Sequence, residues 1–417
     1  MTSGRSIPIA IPVASASAGG SDAPRGLQAA PDDGTIRFTA LPPLSLYVHL
    51  PWCLRKCPYC DFNSHEARGE PDFEAYVDAL IADLQAALPL IWGRPVVSVF
   101  FGGGTPSLIP VVAFERLMAA LRALLPLQPG LEVTLEANPG TVDEARFAGY
   151  AAAGVNRISV GVQSFDDAML ARLGRIHGAA DARRAVETAL RHVPRVNVDL
   201  MHALPEQTPV QAVADVRTAL DLGAGHISAY QLTLEPNTAF AARPPEGLPD
   251  DDTAAATAEA VEATLAEAGF EHYETSAHAR RGERCQHNLN YWTFGDYLGI
   301  GAGAHGKLSF ADRILRMARY KHPRTYVERA VGGAATEDEH TVAVTELPFE
   351  FAMNALRLTG GVDAALYAAH AGRPVAELLE RLREPARKGL VSVSGGRIAP
   401  TVLGRRHLNE ALALLLP

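Results

Sequence analysis

Three of the chain's four cysteines, Cys53, Cys57 and Cys60, fall in one short stretch in the order C-x3-C-x2-C. Thiolates this close along the chain can turn toward a single metal centre, and three of them leave one coordination position open. An open position suits a site that binds a ligand or performs chemistry. A structural zinc site needs a fourth donor, for which His49, His65 and Cys285 are the candidates, and more often shows two C-x2-C pairs than one triplet. Three reduced thiols without a metal are the blandest reading, but with four cysteines in 417 residues such clustering is improbable. An iron–sulfur cluster held by three cysteines fits the spacing best. A disulfide framework does not fit, because one short triplet and one distant cysteine cannot staple a chain of this length.

The elements that must position these cysteines recur with a regular rhythm. Runs rich in β-branched and apolar residues at 44–49, 96–101, 131–136, 157–162, 195–200 and 227–234 read as strands. They alternate with helical patterns. Phe73, Tyr76, Val77, Leu80, Ile81 and Leu84 mark one helix face, and further helices fit 112–125, 142–152, 179–191, 209–222 and 252–268. This alternation predicts an α/β chain with a parallel sheet or barrel. Each strand ends in an unusual motif: the cysteine loop, Gly102-Gly103-Gly104-Thr105-Pro106, Glu136-Ala137-Asn138-Pro139-Gly140, Gln163-Ser164-Phe165, Asp199-Leu200-Met201-His202 and Gln231-Leu232-Thr233-Leu234-Glu235-Pro236. In a (β/α) barrel all strand C-termini lie on one face, so the six motifs are expected around one cavity. Singly, Glu136, Gln163 and Asp199 read equally well as satisfied polar caps. The glycine run reads as a turn and Arg175 as a surface charge. His49, His202 and His305 read as core histidines.

Residues 285–306 combine aromatics with small residues and read as a docking loop for the barrel. From about 345 the texture changes. A helix opened by Thr345 and Pro348 ends near Gly360-Gly361, a second helix spans 374–388, and Ser394-Gly395-Gly396 marks a hairpin. A last helix at 402–415 follows Thr401, giving a winged-helix-like α+β module. Its arginines, Arg381, Arg383, Arg387, Arg405 and Arg406, are interleaved with glutamates and predict a solvated face. A formal net charge of −9 disfavours nucleic acid as the main partner. No apolar run approaches the ~20 residues of a membrane span. Sparse cysteines point to a reducing, cytoplasmic setting. Residues 1–40, rich in Ser, Ala, Gly and Pro, read as a disordered leader. The expected organisation is therefore a leader (1–40), a barrel (41–310), a connecting segment (311–344) and a C-terminal domain (345–417).

The cysteine triplet behind Leu46-Tyr47-Val48-His49, together with Gly-Gly-Gly-Thr-Pro, resembles the radical S-adenosylmethionine (SAM) superfamily. Tyr47-Val48-His49-Leu50-Pro51-Trp52-Cys53, Cys60-Asp61-Phe62-Asn63-Ser64, His287-Asn288-Leu289-Asn290-Tyr291-Trp292 and Gly404-Arg405-Arg406-His407-Leu408-Asn409 narrow this further. They resemble the heme-chaperone branch, related to oxygen-independent coproporphyrinogen III oxidases, over residues 42–417. The resemblance implies a partial (β/α) radical-SAM barrel with a [4Fe–4S] cluster on Cys53, Cys57 and Cys60 and SAM on the open iron. It also implies SAM contacts at Tyr47, Tyr59, Gly103, Gly104, Thr105, Glu136, Gln163, Arg175, Asp199 and Thr233. In active members, the reduced cluster cleaves SAM to methionine and a 5′-deoxyadenosyl radical. Heme would lie at the HNxxYW stretch, with His287 as candidate ligand and Cys285 as its rival, for delivery to acceptor proteins of the respiratory chain. The related oxidases continue the triplet as C-x3-C-x2-C-x-C, whereas this chain has Asp61 and Phe62 after Cys60. That departure makes a heme chaperone the expected function and oxidative decarboxylation of coproporphyrinogen III the alternative.

Overall fold

The six expected strands form and pair in parallel, in chain order. They are β1 (Leu44–Leu50), β2 (Val96–Gly103), β3 (Leu127–Ala137), β4 (Arg157–Gln163), β5 (Arg195–His202) and β6 (His226–Gln231). The computed structural model describes residues 34–91 and 93–416. The connecting helices are α1 (Phe73–Ile91), α2 (Val111–Leu124), α3 (Glu144–Ala152), α4 (Ala179–His192), α5 (Pro209–Asp221) and α6 (Asp251–Glu267), with a short helical turn at Asp167–Arg172 before α4. Local sequence explains their ends. Thr208 and Gln211 form a capping box, and Pro209 occupies the first turn of α5, where its missing N–H costs nothing.

Alternation along each strand splits the sheet into two environments. Leu44, Leu46, Val48, Val99, Phe101, Ile158, Val160, Val196 and Val198 join the core packed under the helices. Most of the intervening positions are polar, including Ser45, Ser98, Glu132, Thr134, Arg157, Ser159, Asn197 and His226, all buried. Register aligns them in rows: Ser45 lies beside Ser98 and Ser98 beside Glu132, while Glu136, Ser159, Asn197 and His226 follow one another across four strands. A barrel lined by polar side chains must satisfy them internally.

The sheet does not stop at six strands. β7 (Glu271–Glu274) and β8 (Ala277–Ala279) extend it antiparallel beyond β6. On the far side of β1, β9 (Asp296–Ile300) pairs in parallel, followed by antiparallel β10 (His305–Ser309), β11 (Ile314–Arg319) and β12 (Thr336–Thr341). The resulting 12-stranded sheet ends at β12 and β7 without closing on itself, so the barrel is partial. The docking loop expected at 285–306 is instead a short helix, α7 (Gln286–Trp292), leading into β9. Residues 311–344 are no mere connection, since they supply β11, β12 and α8 (Pro323–Val331). Edge strand β12 carries exposed Glu337, Asp338 and Glu339, charges that discourage pairing with another chain.

The C-terminal residues form a second core around Phe351, Leu356, Tyr367, Leu378 and Ile398. Helices α9 (Leu347–Ala355) and α10 (Ala365–Ala371) precede α11 (Val375–Arg381) and α12 (Arg383–Arg387). The single helix expected over 374–388 is therefore broken. Pro385, inside the second piece, has no N–H to bond the carbonyl one turn back. The last helix also divides, into α13 (Val402–Arg406) and α14 (Leu408–Ala413), because His407 at φ −120° and ψ 42° leaves the helical region. β13 (Val362–Asp363), β14 (Val391–Ser394) and β15 (Arg397–Pro400) make a small antiparallel sheet with β15 in the middle. Gly395 and Gly396, both at positive φ, form the two-residue hairpin turn. Arg383 and Arg387 pair with Glu380 and Glu384, and Arg406 pairs with Glu259.

Part of the expected leader packs. Ile36 is buried in the C-terminal core, and Arg37 N–H donates to Gly372 O at 2.9 Å. Residues 1–33 lie outside the described residues. Among the described residues, no helix is long and apolar enough to cross a membrane.

Candidate functional site

The cysteine loop leaves the end of β1 and is fastened on three sides. Gly104 N–H donates to Leu50 O at 2.8 Å and Thr105 N–H to Trp52 O at 2.8 Å, so the glycine run of β2 closes directly on it. Gly104 must be glycine, because a Cβ there would sit 2.7 Å from the carbonyl oxygens of both Pro51 and Trp52. Asn63 donates to Ala302 O and Lys321 O, both at 2.9 Å, and Lys56 Nζ donates to Phe62 O and Ser64 O, both at 3.2 Å. Tyr59 lies against a small apolar cluster of Met169, Leu173, Met201, Leu204, Leu232 and Phe240. His49 is buried between Tyr47 OH and Asn63 O at 2.9 Å each, and burial pulls its pKa down to about 4. It is a satisfied core histidine that braces the loop.

Around this loop lies a cavity of about 360 Å³, and residues from all six strand ends line it. Cys53, Cys57 and Cys60 share it with Tyr59, Gly103, Gly104, Thr105, Glu136, Gln163, Arg175, Asp199 and Thr233. Of the expected SAM contacts only Tyr47 is absent from the lining. Its ring sits beneath the glycine run, where a Cβ on Gly102 would meet it at 3.0 Å. Gln163 is held at φ 69° beside a bulge between β4 and β5. A side chain kept in the left-handed region at a cavity wall marks strain retained at a site. Sequence reasoning missed Ser159, Gly161 and Tyr230, which also line the cavity. Strand parity could have found Ser159 and Gly161, four and two residues before Gln163.

Two carboxyls dominate the electrostatics. Burial, with the charge of Asp199 nearby, pushes Glu136 up to about 8, although Gly103 N–H donates to its Oε2 at 3.2 Å. Burial also raises Asp199, opposed by hydrogen bonds from Ser159 at 2.9 Å and Asn197 at 2.7 Å. A cationic ligand would relieve this paired burden. Burial raises Cys53 and Cys60 as well, so without a metal these thiols hold their protons. No three His, Cys, Asp or Glu side chains among the described residues converge closely enough for one metal ion. Cys53, Cys57 and Cys60 all line the one cavity, which suits a cubane cluster that takes each cysteine on a different iron.

His287 is not in this cavity. It is 1% exposed, with Nδ1 at 3.0 Å from Ser98 Oγ and Nε2 at 3.0 Å from Tyr291 OH, and it stacks on Phe100. Burial drops its pKa to about 3. His287 was expected as a candidate heme ligand, but both its ring nitrogens are engaged inside the barrel. Its rival Cys285 is fully buried, with its thiol pushed up to about 12 by burial and donating to Glu132 at 3.4 Å. Asn290 completes the interior contacts of α7, donating to Ser45 Oγ at 2.9 Å and Asp296 O at 2.8 Å.

A parallel β/α sheet with three cysteines, a glycine run and buried carboxyls at its strand ends is the architecture of a radical SAM protein. The sequence matches the Radical SAM superfamily over residues 47–219 and the HemN C-terminal domain over residues 342–407. The fold is similar to that of Escherichia coli coproporphyrinogen III oxidase (HemN), with a TM-score of 0.76 and 23% identity covering 90% of each chain. The heme chaperone HemW of Escherichia coli (strain K12) is 47% identical over 378 residues, covering 90% of this chain and 99% of its own length. The heme chaperone HemW of Mycobacterium tuberculosis (strain ATCC 25618 / H37Rv) is 35% identical, covering 90% and 95% respectively. The chain belongs to the HemW family.

Proposed function

We propose that this protein is a heme chaperone: it binds heme and passes it to acceptor proteins, and carries a [4Fe–4S] cluster on Cys53, Cys57 and Cys60 with exchangeable SAM beside it. The observation that carries the reading is the 47% identity to a heme chaperone along 99% of that protein's length. The cavity supports the cofactor part. SAM brings a sulfonium, an amine and a ribose, which suit Glu136, Asp199, Gln163 and the exposed backbone of Gly103 and Gly104. When bound, the cluster supplies low-potential electron chemistry. The chain's own part is to present three cysteines to the cluster, set two carboxyls against positive charge and enclose the ligand. The likeness to the oxidase, at 23% identity, carries the fold alone. Phe62 stands at the position where oxidases of that type carry a further cysteine.

As heme ligand, His287 has to leave its place against Ser98, which requires α7 to move out of the barrel, or its Nε2 has to give up Tyr291 OH on the same helix. Anaerobic reconstitution followed by parallel assays separates the readings. Stoichiometric hemin binding without decarboxylation of coproporphyrinogen III supports the chaperone, and multiple-turnover formation of protoporphyrinogen refutes it. Cys53→Ala is expected to lose the cluster absorbance. His287→Ala is expected to weaken hemin binding and shift its Soret band, and an unchanged spectrum removes His287 as ligand.

A further inference from the structure

Arg175 reaches into the cysteine loop itself. Its Nη1 donates to Cys57 Sγ at 3.4 Å, and its Nη2 donates to Gly161 O, at the wall of the cavity, at 2.7 Å. The backbone delivers it there by a close approach. After the turn Asp167–Arg172, Gly174 at φ +68° folds against the loop, and a Cβ there would lie 3.0 Å from Pro58 Cδ. The guanidinium is thus fixed between a strand end and a sulfur, while its buried Nε has no hydrogen-bond partner. A side chain whose sole task was to meet a ligand in the cavity would not need to be tied to a cysteine.

We propose that Arg175 sets the reduction potential of the cluster, acting through Cys57 as a positioning residue; this rests on the three-cysteine cluster reading above. One-electron reduction adds a negative charge that is shared with the ligand sulfurs. A fixed N–H donor and a permanent cation beside one sulfur stabilise the reduced form more than the oxidised form and raise the potential. The electron comes from an external low-potential one-electron donor, and no bond or proton changes at Arg175, whose charge is constant at working pH. The unpaired Nε leaves the same residue able to serve bound SAM without releasing the sulfur. Arg175 would then have two separable effects.

The test uses full-length wild type, Arg175→Met, Arg175→Lys and Arg55→Gln, reconstituted anaerobically and checked for iron content and absorbance. Arg55 is an exposed cation lining the same cavity. Midpoint potentials are measured without SAM by dye-mediated titration followed by electron paramagnetic resonance, and SAM affinity is measured separately. Arg175→Met is expected to lower the reduced-to-oxidised ratio at a fixed potential roughly tenfold, about 59 mV for one electron. Arg175→Lys, which keeps the charge but not the two-pronged fork, should fall between it and wild type. Should Arg175→Met take up no iron, a lowered potential in Arg175→Lys supports the proposal and an unchanged one overturns it. Unchanged potentials with weakened SAM binding assign Arg175 to SAM alone and overturn it. So does an Arg55→Gln shift as large as that of Arg175→Met. Failure of wild type itself to hold iron refutes the cluster reading, and this proposal with it.

Discussion

Glu132 is the residue whose removal should reveal how the barrel holds the HNxxYW helix. Its side chain is 1% exposed and accepts from Arg195 Nη1 at 2.7 Å, from the backbone N–H groups of Gln286 and His287 at 3.1 Å each, and from the Cys285 thiol at 3.4 Å. It therefore caps the N-terminus of α7 from inside the sheet. Burial opposes its ionisation, but the charges of Arg157 and Arg195 and the two backbone donors outweigh this and hold its carboxyl below the usual range. Removing one partner of a buried ion pair costs roughly 3–5 kcal/mol. Arg195 keeps Arg284 O at 2.7 Å and Glu283 at 3.4 Å, so Glu132→Ala is expected near the lower end, about 3 kcal/mol. Glu132→Gln keeps an acceptor for the helix and should cost about 1–3 kcal/mol. Because the folded carboxyl is depressed, its contribution is full above the unfolded value of about 4.3 and is lost as pH falls through the folded value. Equilibrium urea unfolding followed by tryptophan fluorescence measures the cost, and hydrogen exchange over 286–292 should report faster opening. A cost below about 1 kcal/mol for Glu132→Ala refutes the capping argument. So does a gap between wild type and Glu132→Gln that does not narrow as pH falls below about 4.

Three further outcomes follow from the same geometry. Gly104→Ala places a methyl against two backbone oxygens that cannot move separately, so it should cost about 1–3 kcal/mol and reduce iron retained after reconstitution; full iron content at wild-type stability would count against the seat described for the loop. Glu136, raised to about 8, should strengthen SAM binding as it ionises, so affinity should rise from pH 7 to 9 in wild type and stay flat in Glu136→Gln; equal slopes in titration calorimetry would contradict this. His278 is buried with neither ring nitrogen hydrogen-bonded, and burial, with His272 and His202 adjacent, lowers it to about 3. Its depressed value makes the folded state lose stability from about pH 6.5 downward, by up to about 1.4 kcal/mol per pH unit. His278→Phe keeps the stack on His272 and should remove that share, so wild type and variant should diverge in urea midpoint between pH 7 and 5. Parallel curves would refute it.

The six strands and their order were legible because β-branched runs and helix periods alternate without interruption, and chain order then dictates parallel neighbours. The strand-end motifs could be assigned to one cavity for the same reason, as topology puts every strand C-terminus on one side. The missed strands, β7 to β12, are short, glycine-containing or highly charged. Asp296–Ile300 enters the sheet through its partner β1, and nothing in its own five residues announces that. The helix breaks at Leu382 and His407 likewise depend on packing and on Pro385.

For the chemistry, the division is sharper. Cysteine spacing predicted three sulfurs around one centre, and strand topology predicted that glycine backbone, carboxylates and an amide would lie on the same side. The sequence could not say which way the HNxxYW helix faces, because a helix period shows that residues share a face without showing what that face meets. Only the tertiary structure decided that His287 and Asn290 turn into the barrel against Ser98 and Ser45, capped by Glu132, and that Arg175 grips the sulfur of Cys57. Those contacts join residues far apart in the chain, and it is strand register and sheet curvature, quantities no local pattern encodes, that bring them within hydrogen-bonding distance.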